Sequence, residues 1–201
     1  MKKIIAIMLV LVLAFSIVGC AKQAETNTPS GNENTESYAD AKAVLDAVWA
    51  KFGEADKFPV GGGDSENLTT DGPGKFDVSK TEELDVTLAL PASQHANVED
   101  AASMMHMMNA NMFTGAAYKV KAGTDTAAFA TEFKAGLDSR QWMCGFPEQF
   151  VVIQSGDYVI AAFGNTLNIT NLKAKALEAL TDSIVLAEGN ITLVSEQAPA
   201  L

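Results

Sequence analysis

The stretch FVVIQSGDYVIAAF, residues 150–163, decides the fold of this chain. Two apolar runs, 150–154 and 158–163, flank the short sequence SGD at 155–157. Runs rich in Val, Ile, Phe and Tyr are typical of β-strands, and a glycine between two such runs is typical of a tight hairpin turn. The stretch therefore predicts an antiparallel pair of strands.

The segments around this hairpin alternate between strand-like and helical patterns. In chain order the patterns predict a strand at 116–122, a helix from Thr124 or Asp125 to about residue 140, the hairpin, a helix at 171–180, and a second possible hairpin at 184–186 and 191–194. A strand–helix–strand unit with an antiparallel neighbour gives an α+β domain. We expect a small, mainly antiparallel sheet packed by helices on one face.

The part of the chain before this unit gives weaker signals. An N-terminal helix is predicted at 37–52, with Ser37 as its N-cap and its apolar residues on one face. The Gly-rich stretch 54–78 has too few apolar residues for a core element, and 81–90 fits either a strand or a short helix.

The chain begins with a basic and then an apolar segment. Lys2 and Lys3 form a short basic start, an apolar run of 15 residues follows at 4–18, and Gly19 precedes Cys20. This layout resembles the signal peptide of bacterial lipoproteins, including its lipobox. A membrane-spanning helix needs about 20 apolar residues, so a permanent transmembrane anchor is the weaker interpretation. The resemblance implies cleavage before Cys20 and a diacylglyceryl group on its sulfur, which anchors the protein in a membrane.

Three regions follow from this layout. Residues 1–19 are a lipoprotein signal peptide, 20–36 are the acylated N-terminus and a flexible polar linker, and 37–201 are a single globular domain. We expect the protein on the outer, extracytoplasmic face of the cell membrane.

The chain is acidic and contains few cysteines. It has 25 Asp and Glu against 14 Lys and Arg, a formal net charge of -11, and Arg140 is its one arginine. Nucleic acids are excluded as partners, because phosphate binding needs clustered Lys and Arg. With Cys20 acylated, Cys144 has no cysteine partner within the chain.

Several short segments occur in a recognisable order: Tyr118-Lys119-Val120-Lys121, the predicted helix around Phe133, Gln141-Trp142, and the hairpin sequence FVVI at 150–153 with SGDYVI at 155–160. In this order they resemble a family of lipoproteins from Gram-positive anaerobes, described as domain of unknown function 4358, over roughly 97–182. The resemblance implies an exported envelope protein and no particular activity. The Gly-rich insert and the Met-rich segment depart from the family's pattern.

The most unusual segment is Met-rich. A helix is predicted at 97–111, since apolar residues recur at helical spacing: Val98, Ala101, Met105, Met108 and Met112. The cluster Met104, Met105, His106, Met107 and Met108 contains the thioethers and imidazole that can bind Cu(I), a soft cation. The alternatives are a Met-lined groove for a peptide or lipid, and simple packing of the helix against the core.

Three other groups of side chains could carry chemistry. Cys144 is a free thiol near Arg140, but neither histidine has an evident carboxylate partner that would make it a base. Oxygen ligands in the Gly-rich loop could bind Ca²⁺, although their spacing is not that of an EF-hand: Asp64, Glu66, Asn67 and Asp71. Trp49, Trp142 and Tyr158 could form a stacking platform for a sugar.

The sequence contains none of the common catalytic motifs. We therefore expect a protein that is not an enzyme: a lipid-anchored module that binds a protein, peptide or small molecule, or supports an envelope complex, without a cofactor. The alternative is a copper-handling lipoprotein that uses the Met- and His-rich segment.

Overall fold

The computed structural model describes residues 38–143 and 145–192. The predicted signal peptide and linker, the lipidation of Cys20 and the thiol of Cys144 lie outside the described residues. Residues Thr35–Leu201 form one compact unit. The helices are α1 (Ala41–Trp49), α2 (Thr81–Val86), α3 (Thr126–Ser139) and α4 (Thr166–Ala179). The strands are β1 (Val60–Gly62), β2 (Thr69–Thr70), β3 (Gly74–Phe76), β4 (Val98–His106), β5 (Phe113–Val120), β6 (Gln149–Ser155), β7 (Tyr158–Gly164) and β8 (Ile184–Asn190).

Within the described residues, the eight strands form one open sheet in which every pairing is antiparallel. Their order is β2-β1-β4-β5-β7-β6-β8. The remaining strand, β3, shares one edge of β4 with β1: β1 pairs with residues 105–106 of β4, and β3 pairs with residues 101–103. The α+β class and the mainly antiparallel sheet are confirmed. No helix in the described part of the chain is long and apolar enough to cross a membrane.

The helices cover both faces of the sheet rather than one. The chain passes from β5 through α3 to β6, and from β7 through α4 to β8, each time skipping one strand in the same direction along the sheet. These two connections start from antiparallel strands, and crossovers of this kind are right-handed. The two crossovers move the same way along the sheet, but the strands from which they start, β5 and β7, run in opposite directions. Two right-handed crossovers of this kind place their helices on opposite faces, so α3 covers one face of the sheet and α4 covers the other.

Two cores result, one on each face. The core beneath α2 and α3 contains Phe133, Phe150 and Val152, and the core beneath α1 and α4 contains Val151 and Ile153. Neighbouring residues of β6 thus alternate between the two cores, as a strand requires. Both cores belong to the compact unit, so we expect this unit to fold without residues 1–34.

The hairpin that the sequence predicted is present. Ser155 pairs with Tyr158, which leaves Gly156 and Asp157 as a two-residue turn. Gly156 has a φ of 54°, the left-handed conformation that type I′ and II′ turns need at this position. The predicted helix over 124–140 and the strand over 116–122 are also present, as α3 and β5.

The predicted helix over 97–111 is wrong: residues 98–106 of this segment form β4, an interior strand of the sheet. β4 pairs with β5 along one edge and with β1 and β3 along the other, and four consecutive residues, 101–104, are buried. A strand buried on both faces need not alternate between polar and apolar residues, so its sequence also fits a helical stripe. Strand pairing on both edges therefore decides the structure of this segment.

Three other boundaries differ from the predictions. The N-cap of α1 is Asp40, whose carboxylate accepts a hydrogen bond from the Ala43 amide at 2.8 Å, instead of Ser37. α4 begins at Thr166 because Asn165 caps it, earlier than the predicted residue 171. The second hairpin is absent from the described residues, since Ile184–Asn190 is one continuous strand through Gly189.

Candidate functional site

A cleft of about 480 Å³ lies at the end of the sheet where β4 ends and β5 begins. Its walls come from four separate parts of the chain: α2, the end of β4, the start of β5, and the segment after α3. The lining residues are Val86, Met105, His106, Met112, Phe113, Thr114, Arg140, Gln141, Trp142, Met143 and Gly145. The size lies within the range of small-molecule and side-chain binding sites.

The indole of Trp142 is fixed in the wall of this cleft. Its Nε1 donates a hydrogen bond to the Leu137 carbonyl at 3.3 Å, and its ring lies 5.4 Å from the ring of Phe163. The Arg140 guanidinium lies 5.7 Å from the Trp142 ring centroid. Trp142 therefore presents a rigid aromatic surface at little entropic cost for binding.

The charge of Arg140 is already compensated. Its guanidinium donates to the carbonyls of Val86 at 2.9 Å and Asp85 at 2.5 Å, and to the Asp85 carboxylate at 2.7 Å. These bonds join the segment after α3 to the end of α2, and the Asp85 carboxylate offsets the guanidinium charge. The chemistry of the cleft is thus mainly apolar.

Apolar side chains extend from the cleft onto the surface. Val86 is 65% exposed, Met143 85% and Phe146, which follows Gly145 of the lining, 62%. Exposed large apolar side chains grouped around a cleft are typical of a binding surface, whereas single ones are common on any protein.

The Met-rich cluster is divided between the two faces of the sheet. Met104 is fully buried in the core beneath α1, whereas its neighbour Met105 lines the cleft. Met107 and Met108, just beyond β4, are about half exposed. The predicted helical stripe of Met105, Met108 and Met112 does not exist, because residues 98–106 form a strand whose side chains alternate between faces.

His106 lies between the cleft and an aromatic cluster. Its ring stacks on Phe58, with the centroids 4.8 Å apart and the planes 7° from parallel. Its Nδ1 accepts a hydrogen bond from the Met108 amide at 3.0 Å, which fixes the neutral ring with its proton on Nε2. Burial lowers the pKa of His106, because it disfavours the imidazolium.

The carboxylate of Asp64 in the Gly-rich loop is a structural centre rather than an open cation site. It accepts hydrogen bonds from the Lys80 ammonium at 2.7 Å, from the Asn67 side chain, and from backbone amides that include that of Asp77 at 3.0 Å. Burial alone would raise the pKa of Asp64, but these bonds outweigh it and hold the pKa far below its usual range. A calcium ion at Asp64 would have to displace Lys80. Across residues 38–143 and 145–192, no three His, Cys, Asp or Glu side chains converge as metal ligands.

The three aromatic residues considered for sugar binding do not meet. Tyr158 lies in the core beneath α1 and Trp49 packs against that core, whereas Trp142 packs against the core beneath α3, on the opposite face. The Tyr158 hydroxyl donates to the Tyr38 carbonyl at 3.0 Å, which ties the start of the described chain to the sheet.

A second cavity of about 440 Å³ lies between α4 and the strands β6 and β8. Lys173 and Glu188 pair across its rim at 2.6 Å, and Ile169 and Leu177 supply apolar walls. Leu177 is 42% exposed, but among the described residues no aromatic side chain comparable to Trp142 and no thioether lines this second cavity.

The sequence pointed to some cleft residues, but not to the cleft itself. Met105, His106 and Trp142 were considered as functional residues for other reasons, whereas Val86 and Met143 were not considered. No local pattern joins residues from four segments of the chain, so only the topology reveals their proximity.

No protein-family model, curated protein or solved structure matches this chain. The resemblance of residues 97–182 to the domain of unknown function 4358 therefore stays a prediction.

Proposed function

We propose that this protein is a lipid-anchored, extracytoplasmic binding module without enzymatic activity, and that the cleft at the end of β4 and β5 is its binding site. The observation that carries the proposal is the convergence of Met105, Met112 and Trp142 in one cleft surrounded by exposed apolar side chains. Thioether side chains adapt to varied apolar shapes, and the fixed indole supplies a rigid contact. An apolar small molecule or an apolar peptide segment is the class of ligand that fits.

The cleft and the start of the described chain lie at opposite ends of the sheet. The described chain begins at Tyr38, which is held by Tyr158 at the end of β7 that pairs with Lys119. The cleft lies at the other end, where Phe113 pairs with Gly164. Six residue steps separate these ends, about 20 Å along the strands.

The anchor is tested by replacing Cys20 with Ala. We expect the wild-type chain to fractionate with membranes and to incorporate labelled fatty acid, and Cys20→Ala to do neither. Retention of Cys20→Ala in the membrane fraction would contradict lipid anchoring, since the apolar run at 4–18 would then hold the protein itself.

The cleft is tested with an apolar fluorescent dye, 1-anilinonaphthalene-8-sulfonate, added to residues 35–201. A Trp49→Phe background leaves Trp142 as the one tryptophan, so energy transfer to the dye reports binding at the cleft. Met143→Gln should weaken binding about fivefold, because burying part of a methionine contributes about 1 kcal/mol.

The matched control is Leu167→Gln, which changes another strongly exposed apolar residue, 68% against 85% for Met143, on α4 and outside the lining of both cavities. Equal dye affinities for Met143→Gln and Leu167→Gln would contradict the cleft as the binding site.

A second candidate function is the handling of a soft metal such as Cu(I). One observation favours it: Met105, His106 and Met112 line the same cleft and carry soft or borderline ligand atoms. A Cu(I) competition titration tests it. Loss of binding in Met105→Leu with Met112→Leu, but not in Met104→Leu on the opposite face, would support it, and no binding by the wild type would reject it.

A further inference from the structure

The described chain ends beside the cleft. Ile191 is buried in the core beneath α3, and its amide donates to the Glu148 carbonyl at 2.9 Å. The amide of Thr192 donates to the Asp138 carboxylate at 2.9 Å. These bonds hold the last two described residues against the segment before β6 and the last turn of α3.

Asp138 is close to the wall of the cleft. It lies in the last turn of α3, and the chain continues from there directly into Arg140 and Trp142 of the lining. The Trp142 indole in turn bonds the carbonyl of Leu137, the residue before Asp138. The last described residue, Thr192, therefore lies on the α3 side of the sheet, at the same end of the sheet as the cleft.

The sequence that follows is suited to an apolar cleft. Residues 193–201 read LVSEQAPAL and contain one charged residue, Glu196. Nine extended residues reach about 30 Å. The closure entropy of so short a connection is small, so even a weak affinity for the cleft is effective in the same chain.

We propose that residues 193–201 bind across the cleft, with their aliphatic side chains against Trp142, Met143 and Val86. This inference rests on the cleft of the proposed function being a binding surface. In this arrangement residues 193–201 occupy the cleft, and an external ligand must displace them in order to bind.

The test uses Trp142 as a reporter. Residues 35–201 and 35–192 are prepared with Trp49→Phe, and quenching of Trp142 by acrylamide is measured for each. We expect at least twofold stronger quenching in the shorter protein. The synthetic peptide LVSEQAPAL should restore the protection of 35–192 in a saturable manner and compete with the anilinonaphthalene dye.

A substituted full-length variant covers the case in which the shorter protein is unstable. Leu193→Ser with Leu201→Ser keeps the chain length and should quench like 35–192, whereas the matched control Gln197→Ser should quench like the wild type. Circular dichroism verifies that each variant is folded.

Three outcomes overturn the inference. Equal quenching with and without residues 193–201 shows that the segment does not cover the indole. Protection that rises with protein concentration shows that a second copy covers it, and protection seen only with phosphatidylcholine vesicles shows that lipid does.

Dye binding separates failure of this inference from failure of the proposed function. If residues 35–201 and 35–192 bind the dye equally, the proposed binding site stands without its internal occupant. If neither binds the dye, the proposed function fails as well.

Discussion

Replacing Asp64 with Ala should destabilise the domain strongly, because one carboxylate holds together three segments of the Gly-rich region. The Asp64 side chain is 1% exposed and accepts bonds from the loop 66–67, from the amide of Asp77 after β3, and from Lys80 before α2. Truncation leaves all of these donors without their acceptor.

The magnitude follows from the partners that are lost. A hydrogen bond to a charged group contributes about 1.5–3 kcal/mol, and each remaining amide bond about 1 kcal/mol. Lys80 keeps Glu66 at 3.4 Å and Glu83 at 3.8 Å, and the loop amides can reach water, so the net loss is smaller than the sum. We expect a decrease of about 3 kcal/mol in the free energy of unfolding, or about 6–12 °C in Tm.

Urea denaturation of residues 35–201, followed by circular dichroism, measures this change. Glu66→Gln is the matched control: it removes another carboxylate that contacts Lys80, but an exposed one, and should cost less than 1 kcal/mol. A decrease for Asp64→Ala as small as that for Glu66→Gln would refute the role assigned to the buried carboxylate.

The comparison of wild type with Asp64→Ala also predicts how the free energy of unfolding depends on pH. The pKa of Asp64 is lower in the folded protein than the value of about 3.9 in an unfolded chain. Its contribution is therefore fully present above that value and is lost as the pH falls below it. The stability difference between wild type and Asp64→Ala should be constant near neutrality and narrow below about pH 4.

Three further substitutions test the packing. Gly62→Ala should prevent stable folding, because the added Cβ would lie 2.2 Å from the backbone nitrogen of Gly74, whereas Gly72→Ala meets open space and should leave Tm within about 2 °C. Tyr118→Phe should raise the free energy of unfolding by about 1 kcal/mol, since the buried Tyr118 hydroxyl has no hydrogen-bond partner among the described residues; a decrease in Tm would contradict this. Met104→Ala should cost about 2–5 kcal/mol by opening a cavity in the core beneath α1, and an unchanged urea midpoint would show that the site is not packed as described.

The second half of the fold could be predicted from sequence because its signals are local. Gly156 with two flanking apolar runs identifies the β6–β7 hairpin, and Phe129, Phe133 and Leu137 recur at the spacing of one helix face. Such signals need no knowledge of distant partners.

The structure of β4 could not be predicted in this way. Its run Ala101-Ala102-Ser103-Met104 is buried on both faces, so neither alternation nor polar residues mark it as a strand. Alanine and methionine favour helices intrinsically, and pairing along both edges overrides that preference. Because the cleft begins where β4 ends, this misassigned segment also concealed the candidate site.

The two crossovers also determine when the sheet can close as the chain emerges. Strand β6 lies between β7, which follows it directly, and β8, which is complete only at Asn190. Pairings between segments far apart in sequence form late and slowly. A chain that emerges N-terminus first therefore cannot complete the sheet until residue 190 has emerged, and the edge of β6 that pairs with β8 stays open until then.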